Sequence, residues 1–193
     1  IDAGLEAEIR QLPGKVYSTY GMTETLSHIA LRRLNGPDAS TLYYPFPSVR
    51  LSLSPEHTLI IDAPLVCDTI LVTNDVAEIN SDGSFSILGR KDNTINTGGI
   101  KVQAEQVEDI LRPWIHVPFA ITSVSDAALG EAVVLLIENG GYTERLEEKM
   151  KELLTKYQLP KMVFSVGTIP LTETGKINRA GCRQLAATYQ VGR

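Results

Sequence analysis

Apolar positions change their spacing along the chain, and each change marks an element. Leu5, Ile9 and Leu12 recur at helical spacing and run into Pro13-Gly14, which predicts an amphipathic helix with a hard stop. "KVYSTYGMTET" then reads as a short β-prone run ending in a hydroxyl-rich loop that carries Thr23, Glu24 and Thr25. From about residue 40 to 90 the runs "VRLSLS", "TLIIDAP", "TILVTNDVAEIN" and "FSILGR" are short and rich in Val, Ile and Leu. Pro, Asn, Asp and Gly separate them, so a small antiparallel sheet or barrel is expected. Asp82-Gly83, inside "NSDGSF", supplies the turn chemistry of a hairpin.

Beyond residue 90 helical spacing returns. Val107, Ile110, Leu111 and Trp114 form one apolar face, and Glu105 and Glu108 sit in the half of that helix where the backbone dipole favours acids. "FAITSVSD" and "EAVVLLIEN" follow as strands, "TERLEEKMKELLTKY" as an amphipathic helix, "KMVFSVGTIP" as a strand and "NRAGCRQLAATYQ" as a short helix. The fold class is therefore mixed α+β: a β-rich, barrel-like part over residues 1–90 and a small α+β part over 91–193. No internal repeat or low-complexity tract interrupts it.

Composition narrows the function classes. With 43% hydrophobic and 21% charged residues the chain reads as ordinary globular protein, and a net charge of -5 leaves no excess of Lys and Arg to neutralise phosphates. A general nucleic-acid or anionic-membrane binder is disfavoured. No apolar stretch reaches about 18 residues, so no membrane span is expected, and no basic-then-apolar leader opens the chain. Cys67 and Cys182 are far apart and lack a C-x-x-C companion, which supports neither zinc nor a disulfide framework and suits a reduced, cytoplasmic setting.

Three places carry candidate chemistry. At the end of the first β-prone run, Tyr20 offers a flat face to a base, Thr23 a hydroxyl to a phosphate oxygen and Glu24 a hard oxygen to Mg²⁺. Core packing of the tyrosine and a simple turn at Thr-x-Thr are the competing readings. Asp75 stands at the end of an apolar run, where either a ribose diol or a turn would account for it. In "PLTETGKINR", Gly175 permits a left-handed turn and Thr172 and Thr174 can brace it, which holds Lys176 at a loop tip. A solvated hairpin is the plain alternative. His28 taken by itself reads as a packed or surface histidine, His57 and His116 read as structural, and Arg32 and Arg33 read as a solvated face, with steering of an anionic substrate as the alternative.

Taken in order, "YGMTE", "TNDVAEI", "GRKDNTINTGGIKVQAEQVE" and "PLTETGKINR" resemble the successive core motifs of the superfamily of acyl-CoA synthetases, adenylation domains and luciferases. The resemblance spans nearly the whole chain. It implies a two-step reaction: a carboxylate attacks the α-phosphate of ATP, giving an acyl-adenylate and pyrophosphate, and a thiol, usually that of coenzyme A, then displaces AMP. By that pattern Tyr20 and Gly21 lie at the adenine, Thr23 contacts phosphate, Glu24 helps hold Mg²⁺, and Asp75 with Arg90 binds the ribose hydroxyls. Asp92 matches the hinge of a mobile C-terminal lid. Gly98, Gly99 and Lys101 belong to the loop brought to the thiol channel, and Lys176 matches the lysine that bridges substrate carboxylate and α-phosphate.

"YGMTETLSHIAL" further resembles the o-succinylbenzoate-CoA ligases of menaquinone biosynthesis, which implies an acyl pocket touched by Ser27 and His28. Another aryl or fatty acid-CoA ligase, an adenylation domain serving a carrier protein, and a non-catalytic interaction module are the alternatives. No stretch matches the superfamily's phosphate loop. The expectation is thus the end of the large domain plus the small domain, inactive in adenylation without an N-terminal portion of the same enzyme.

Overall fold

A computed structural model of the chain describes residues 3–191. Two compact units follow one another, Ile1–Lys91 and Asp92–Arg193. The first holds α1 (Ala3–Ile9), β1 (Tyr17–Gly21), β2 (His28–Arg33), β3 (Tyr44–Pro45), β4 (Arg50–Leu53), β5 (Thr58–Asp62), β6 (Leu71–Ile79) and β7 (Phe85–Arg90). Strands β1, β2 and β3 pair antiparallel in that order, and β4 to β7 form a four-stranded antiparallel meander. The two sheets share one core, built from Ile29 and Ala30 of β2, Leu59 and Ile61 of β5, Ala77 of β6 and Phe85 of β7. A backbone bridge between Tyr43 and Phe85 joins them.

Strand β2 departs from the sequence reading. Arg32 and Arg33 do not form a solvated face: the Arg32 guanidinium lies 5.6 Å from the Tyr43 ring centre and that of Arg33 lies 5.3 Å from Tyr17. Their long stems cover aromatic surface while the charge rests on the ring faces, an arrangement open to arginine wherever a sheet places tyrosines beside it.

The second unit holds β8 (Thr94–Thr97), β9 (Ile100–Gln103), α2 (Ala104–Leu111), β10 (Phe119–Asp126), β11 (Gly130–Glu138), α3 (Glu144–Leu153), β12 (Met162–Val166) and α4 (Arg179–Val191). Strand β11 organises it. One edge pairs antiparallel with β10; the other meets β8 at Gly130 and runs parallel to β12 from Val134 to Glu138. Both faces of β11 are covered, which is why its sequence is a continuous apolar run rather than an alternation. Val133, Leu135 and Ile137 pack with Val107 and Leu111 of α2 and Leu146 and Met150 of α3. Ala132, Val134 and Leu136 pack on the other face with Cys182 and Ala186 of α4. The Thr143 hydroxyl caps α3, accepting the Leu146 N–H at 3.2 Å. Trp114 lies past the end of α2 yet joins the same core, because the backbone N–H groups of Trp114 and Ile115 return to the Leu111 carbonyl.

Candidate nucleotide and lysine sites

In the first unit, β1 delivers Tyr20 to the edge of the shared core. Its ring stands edge-on to Phe85, with centres 5.4 Å apart, and tilted to Tyr43 at 5.9 Å. Its hydroxyl donates to Asp75 Oδ2 at 2.6 Å, across 55 positions of sequence. Asp75 lies inside β6, directly opposite Arg90 of β7, so its reading as a turn residue is corrected. Its backbone N–H is held by the Thr73 hydroxyl at 3.1 Å. Burial first, and the hydrogen bond to Asp75 second, push the Tyr20 phenol well above its ordinary range, so it stays a proton donor throughout neutral pH. Tyr20, Asp75 and Arg90 are thereby assembled at one place: an aromatic ring, an acceptor carboxylate and a guanidinium.

The backbone leaves β1 at Gly21, where β2 approaches so closely that a Cβ would lie 2.3 Å from the Ser27 carbonyl oxygen and 2.7 Å from His28 Cα. Only glycine fits. A single-turn helix, Thr23–Thr25, follows and leaves the side chains of Thr23 and Glu24 exposed. Thr25 fixes this turn. Fully buried, its Oγ1 accepts the Met22 N–H at 3.1 Å and sits 2.9 Å from the Met22 carbonyl and 2.6 Å from that of Ser27. Leu26, next in line, takes a left-handed φ of 55° and is 86% exposed. Ser27 Oγ lies 3.1 Å from His28 Nδ1, and the His28 ring is 5.7 Å from Phe46. Among the described residues no three His, Cys, Asp or Glu side chains converge on a metal position. Glu24 is a single exposed carboxylate, which fits the way Mg²⁺ is usually held, by one or two carboxylates together with substrate phosphates.

In the second unit, Asp92 is the first residue and stands in a single turn, Lys91–Asn93. Gly98 and Gly99, with φ of 59° and 80°, make the two-residue turn of the β8–β9 hairpin, and Lys101 is exposed beside it. Lys176 sits on a separate hairpin. Thr172 N–H donates to the Lys176 carbonyl at 2.7 Å, Gly175 N–H to the Thr172 carbonyl at 2.9 Å, and Lys176 N–H to Thr172 Oγ1 at 3.2 Å. The Thr172 and Thr174 hydroxyls are 3.0 Å apart, Gly175 has a φ of 76°, and the Lys176 side chain is exposed. A cavity of about 400 Å³ in this unit is lined by Asp92, Asn93, Ile121, Ser123, Arg179 and Arg183 among others.

One interaction escaped the sequence reading. Glu108, which the sequence offered only as an acid suited to the N-terminal half of its helix, is 2% exposed and receives Arg179 as a two-pronged partner, Nη1 to Oε1 at 2.6 Å and Nη2 to Oε2 at 2.8 Å. Oε1 also accepts the Ile121 N–H at 2.8 Å. Burial alone would lower the Arg179 guanidinium, but the hydrogen bonds and charge of Glu108 outweigh it and raise it net. The one sequence signal was an acid on the apolar side of α2, next to Val107.

No family model matches the chain. It is 26% identical over 181 residues to a 2-succinylbenzoate--CoA ligase of Lactococcus lactis, covering 85% of this chain and 40% of that protein. A crystal structure of an acyl-CoA synthetase (AMP-forming)/AMP-acid ligase II-like protein from Dyadobacter fermentans is 34% identical, covers 96% of this chain and 55% of its own, and superposes with a TM-score of 0.51. The o-succinylbenzoate coenzyme A synthetase of Bacillus subtilis, solved with ATP and magnesium ion, shares the fold at a TM-score of 0.74 and 20% identity, over 93% of this chain and 44% of its own. These relatives and structural neighbours are acid-CoA and aryl-acid ligases of the adenylate-forming superfamily, to which the chain is similar. It spans about two fifths to a little over half of the length of these superfamily members. Of the residues matching superfamily motifs, Tyr20, Asp75 and Arg90 come together in the first unit, with Thr23 and Glu24 on the loop that leaves β1. The other motif residues, Asp92, Gly98, Gly99, Lys101 and Lys176, belong to the second unit.

Proposed function

We propose that this chain is the nucleotide-facing and lid part of an AMP-forming acid-CoA ligase, acting in a reduced, cytoplasmic setting on o-succinylbenzoate. The observation that carries the reading is the 2.6 Å bond between Tyr20 and Asp75 beside Arg90, which brings residues of three separate motifs to one spot. An acceptor carboxylate next to a guanidinium suits the two hydroxyls of a ribose, and the half-buried Tyr20 ring beside them suits a base.

In this reading ATP, coenzyme A and a carboxylic acid are substrates, and residues 1–90 and 91–193 serve as the end of the large domain and a mobile lid. Bound Mg²⁺ would neutralise phosphate charge at Glu24. Thr23 donates its hydroxyl to a phosphate oxygen. Lys176 holds the acid's carboxylate and the α-phosphate against their mutual repulsion while a carboxylate oxygen attacks phosphorus and the bond to the leaving pyrophosphate breaks. In the second step the thiol sulfur attacks the acyl carbon, the bond to the AMP oxygen breaks and the thiol proton is lost. Asp92 is the hinge for exchanging the two poses, and the bare turn at Gly98-Gly99, flanked by Lys101, lets the thiol pass close to backbone. Ser27 and His28, linked to each other and exposed, face the acyl group. The o-succinylbenzoate assignment draws on the Lactococcus relative and on the "YGMTETLSHIAL" run.

The test uses the full-length protein encoded by the gene that carries this chain. AMP release and thioester formation are followed with ATP, CoA and either o-succinylbenzoate, benzoate or a fatty acid. Selective turnover of o-succinylbenzoate is expected. Preference for one of the other acids overturns the substrate and leaves the reaction; absence of AMP release with all three overturns the reaction.

A further inference from the structure

The Lys176 hairpin projects from the second unit, and what fixes it lies at its base. Asn178 N–H closes the hairpin onto the Pro170 carbonyl at 2.9 Å, Leu171 and Ile177 form a backbone bridge, and the Asn178 side chain caps α4 by accepting the Gly181 N–H at 3.0 Å. Among the described residues no hydrogen bond or ion pair of the Lys176 ammonium itself is found. The next residue after the base is Arg179. Its guanidinium is clamped by Glu108 of α2 through two bonds, and it also donates to the Ile121 carbonyl of β10 at 3.2 Å. A third carboxylate oxygen, Glu105 Oε1, lies 3.4 Å from Arg179 Nη2 and accepts from the Asn93 side chain, one residue from Asp92.

We propose that Arg179 is a positioning residue for Lys176: anchored in Glu108, it fixes the hairpin base and ties it, through Glu105 and Asn93, to the segment beside Asp92. The inference rests on the reading of Lys176 given above. Its physical basis is leverage. A lysine on an exposed two-stranded loop has a flexible stem, and its ammonium meets two anions only if the loop base is held to a fraction of an ångström. A planar guanidinium gripped by a buried carboxylate at both prongs supplies that fixity, since rotation about either bond is blocked by the other. Because the same guanidinium reaches the Asn93 side, a rotation of the unit about Asp92 carries the hairpin as part of one body. Arg179 touches no substrate in this account; it acts through the backbone of residues 170–178.

The experiment separates positioning from mere stability by measuring the two half-reactions apart in the full-length enzyme. Arg179→Lys keeps the charge and loses the two-pronged grip. Because a lone buried Glu108 can unfold the unit, a double variant, Arg179→Met with Glu108→Gln, removes both charges together. Both are expected to lower kcat for ATP–pyrophosphate exchange by about 10- to 100-fold, with the KM for ATP and thioester formation from supplied acyl-adenylate each within about twofold of wild type. In the 193-residue chain itself, amide hydrogen exchange at Thr172, Gly175, Lys176 and Asn178 should accelerate in the double variant while β10 and β11 keep their protection. Equal loss in both half-reactions, or wild-type exchange at the hairpin amides, overturns the proposal. Lys176→Ala run in parallel separates the two failures. If that variant adenylates normally, the reading of Lys176 falls and takes this inference with it; if it is dead while the Arg179 variants adenylate at wild-type rate, this inference alone falls.

Discussion

Burial changes what individual side chains can do, and Cys182 and Tyr20 show it in opposite settings. Cys182, on the sheet-facing side of α4, is fully buried, and burial pushes its thiol up to about 11. At pH 8 about one molecule in a thousand carries the thiolate, the reactive form, and even that one is shielded, whereas Cys67 is partly exposed. Iodoacetamide at pH 8 should therefore label Cys67 in the native chain and Cys182 only after denaturation. Equal labelling of both in the native chain would mean that α4, which follows the Lys176 hairpin, is not seated on the sheet as described. The types of the site residues were legible in the sequence; their partners were not. Tyr20 and Asp75 each offered two readings until the fold placed them 2.6 Å apart, and Glu108 was assigned to the helix dipole because its partner lies 71 positions away. No local pattern reports such a distance. Thr25 was hidden differently, since a hydroxyl beside two others looks like solvent-facing turn chemistry until its burial is known.

At the level of elements, the long apolar runs announced themselves and the short polar ones did not. β10 and β11 stand out because both faces of the sheet are covered, which leaves the unbroken apolar runs Phe119–Ile121 and Ala132–Ile137. β8 and β9 were passed over as an approach to α2: only Ile95, Thr97, Val102 and Gln103 of their eight residues are buried, and Asn96 and Lys101 face outward. Their hairpin depends on Gly98 and Gly99. Both lie at positive φ, and a Cβ on Gly98 would also sit 3.3 Å from Leu129 and 3.4 Å from Tyr157, whereas Gly99 faces open space. Gly98→Ala and Gly99→Ala should each cost about 1 to 2 kcal/mol, the strain of a left-handed residue bearing a side chain. Urea midpoints of the 193-residue chain measure this; wild-type midpoints for both variants would show that the turn is not the one described.

On the scale of the whole molecule, the chain divides at Lys91–Asp92 into two units that each carry a core. The first gathers Tyr20, Asp75 and Arg90; the second carries Lys176 at the tip of a braced hairpin. The proposed chemistry needs the lysine for one step and not for the other, and that asymmetry is the most direct point of attack. In the full-length protein, Lys176→Ala should lower ATP–pyrophosphate exchange by about 10²- to 10³-fold, the usual cost of one lost charge-stabilising donor. Thioester formation from supplied acyl-adenylate should remain within about twofold of wild type. Unimpaired exchange in the variant, or equal loss of both steps, would contradict the role given to Lys176.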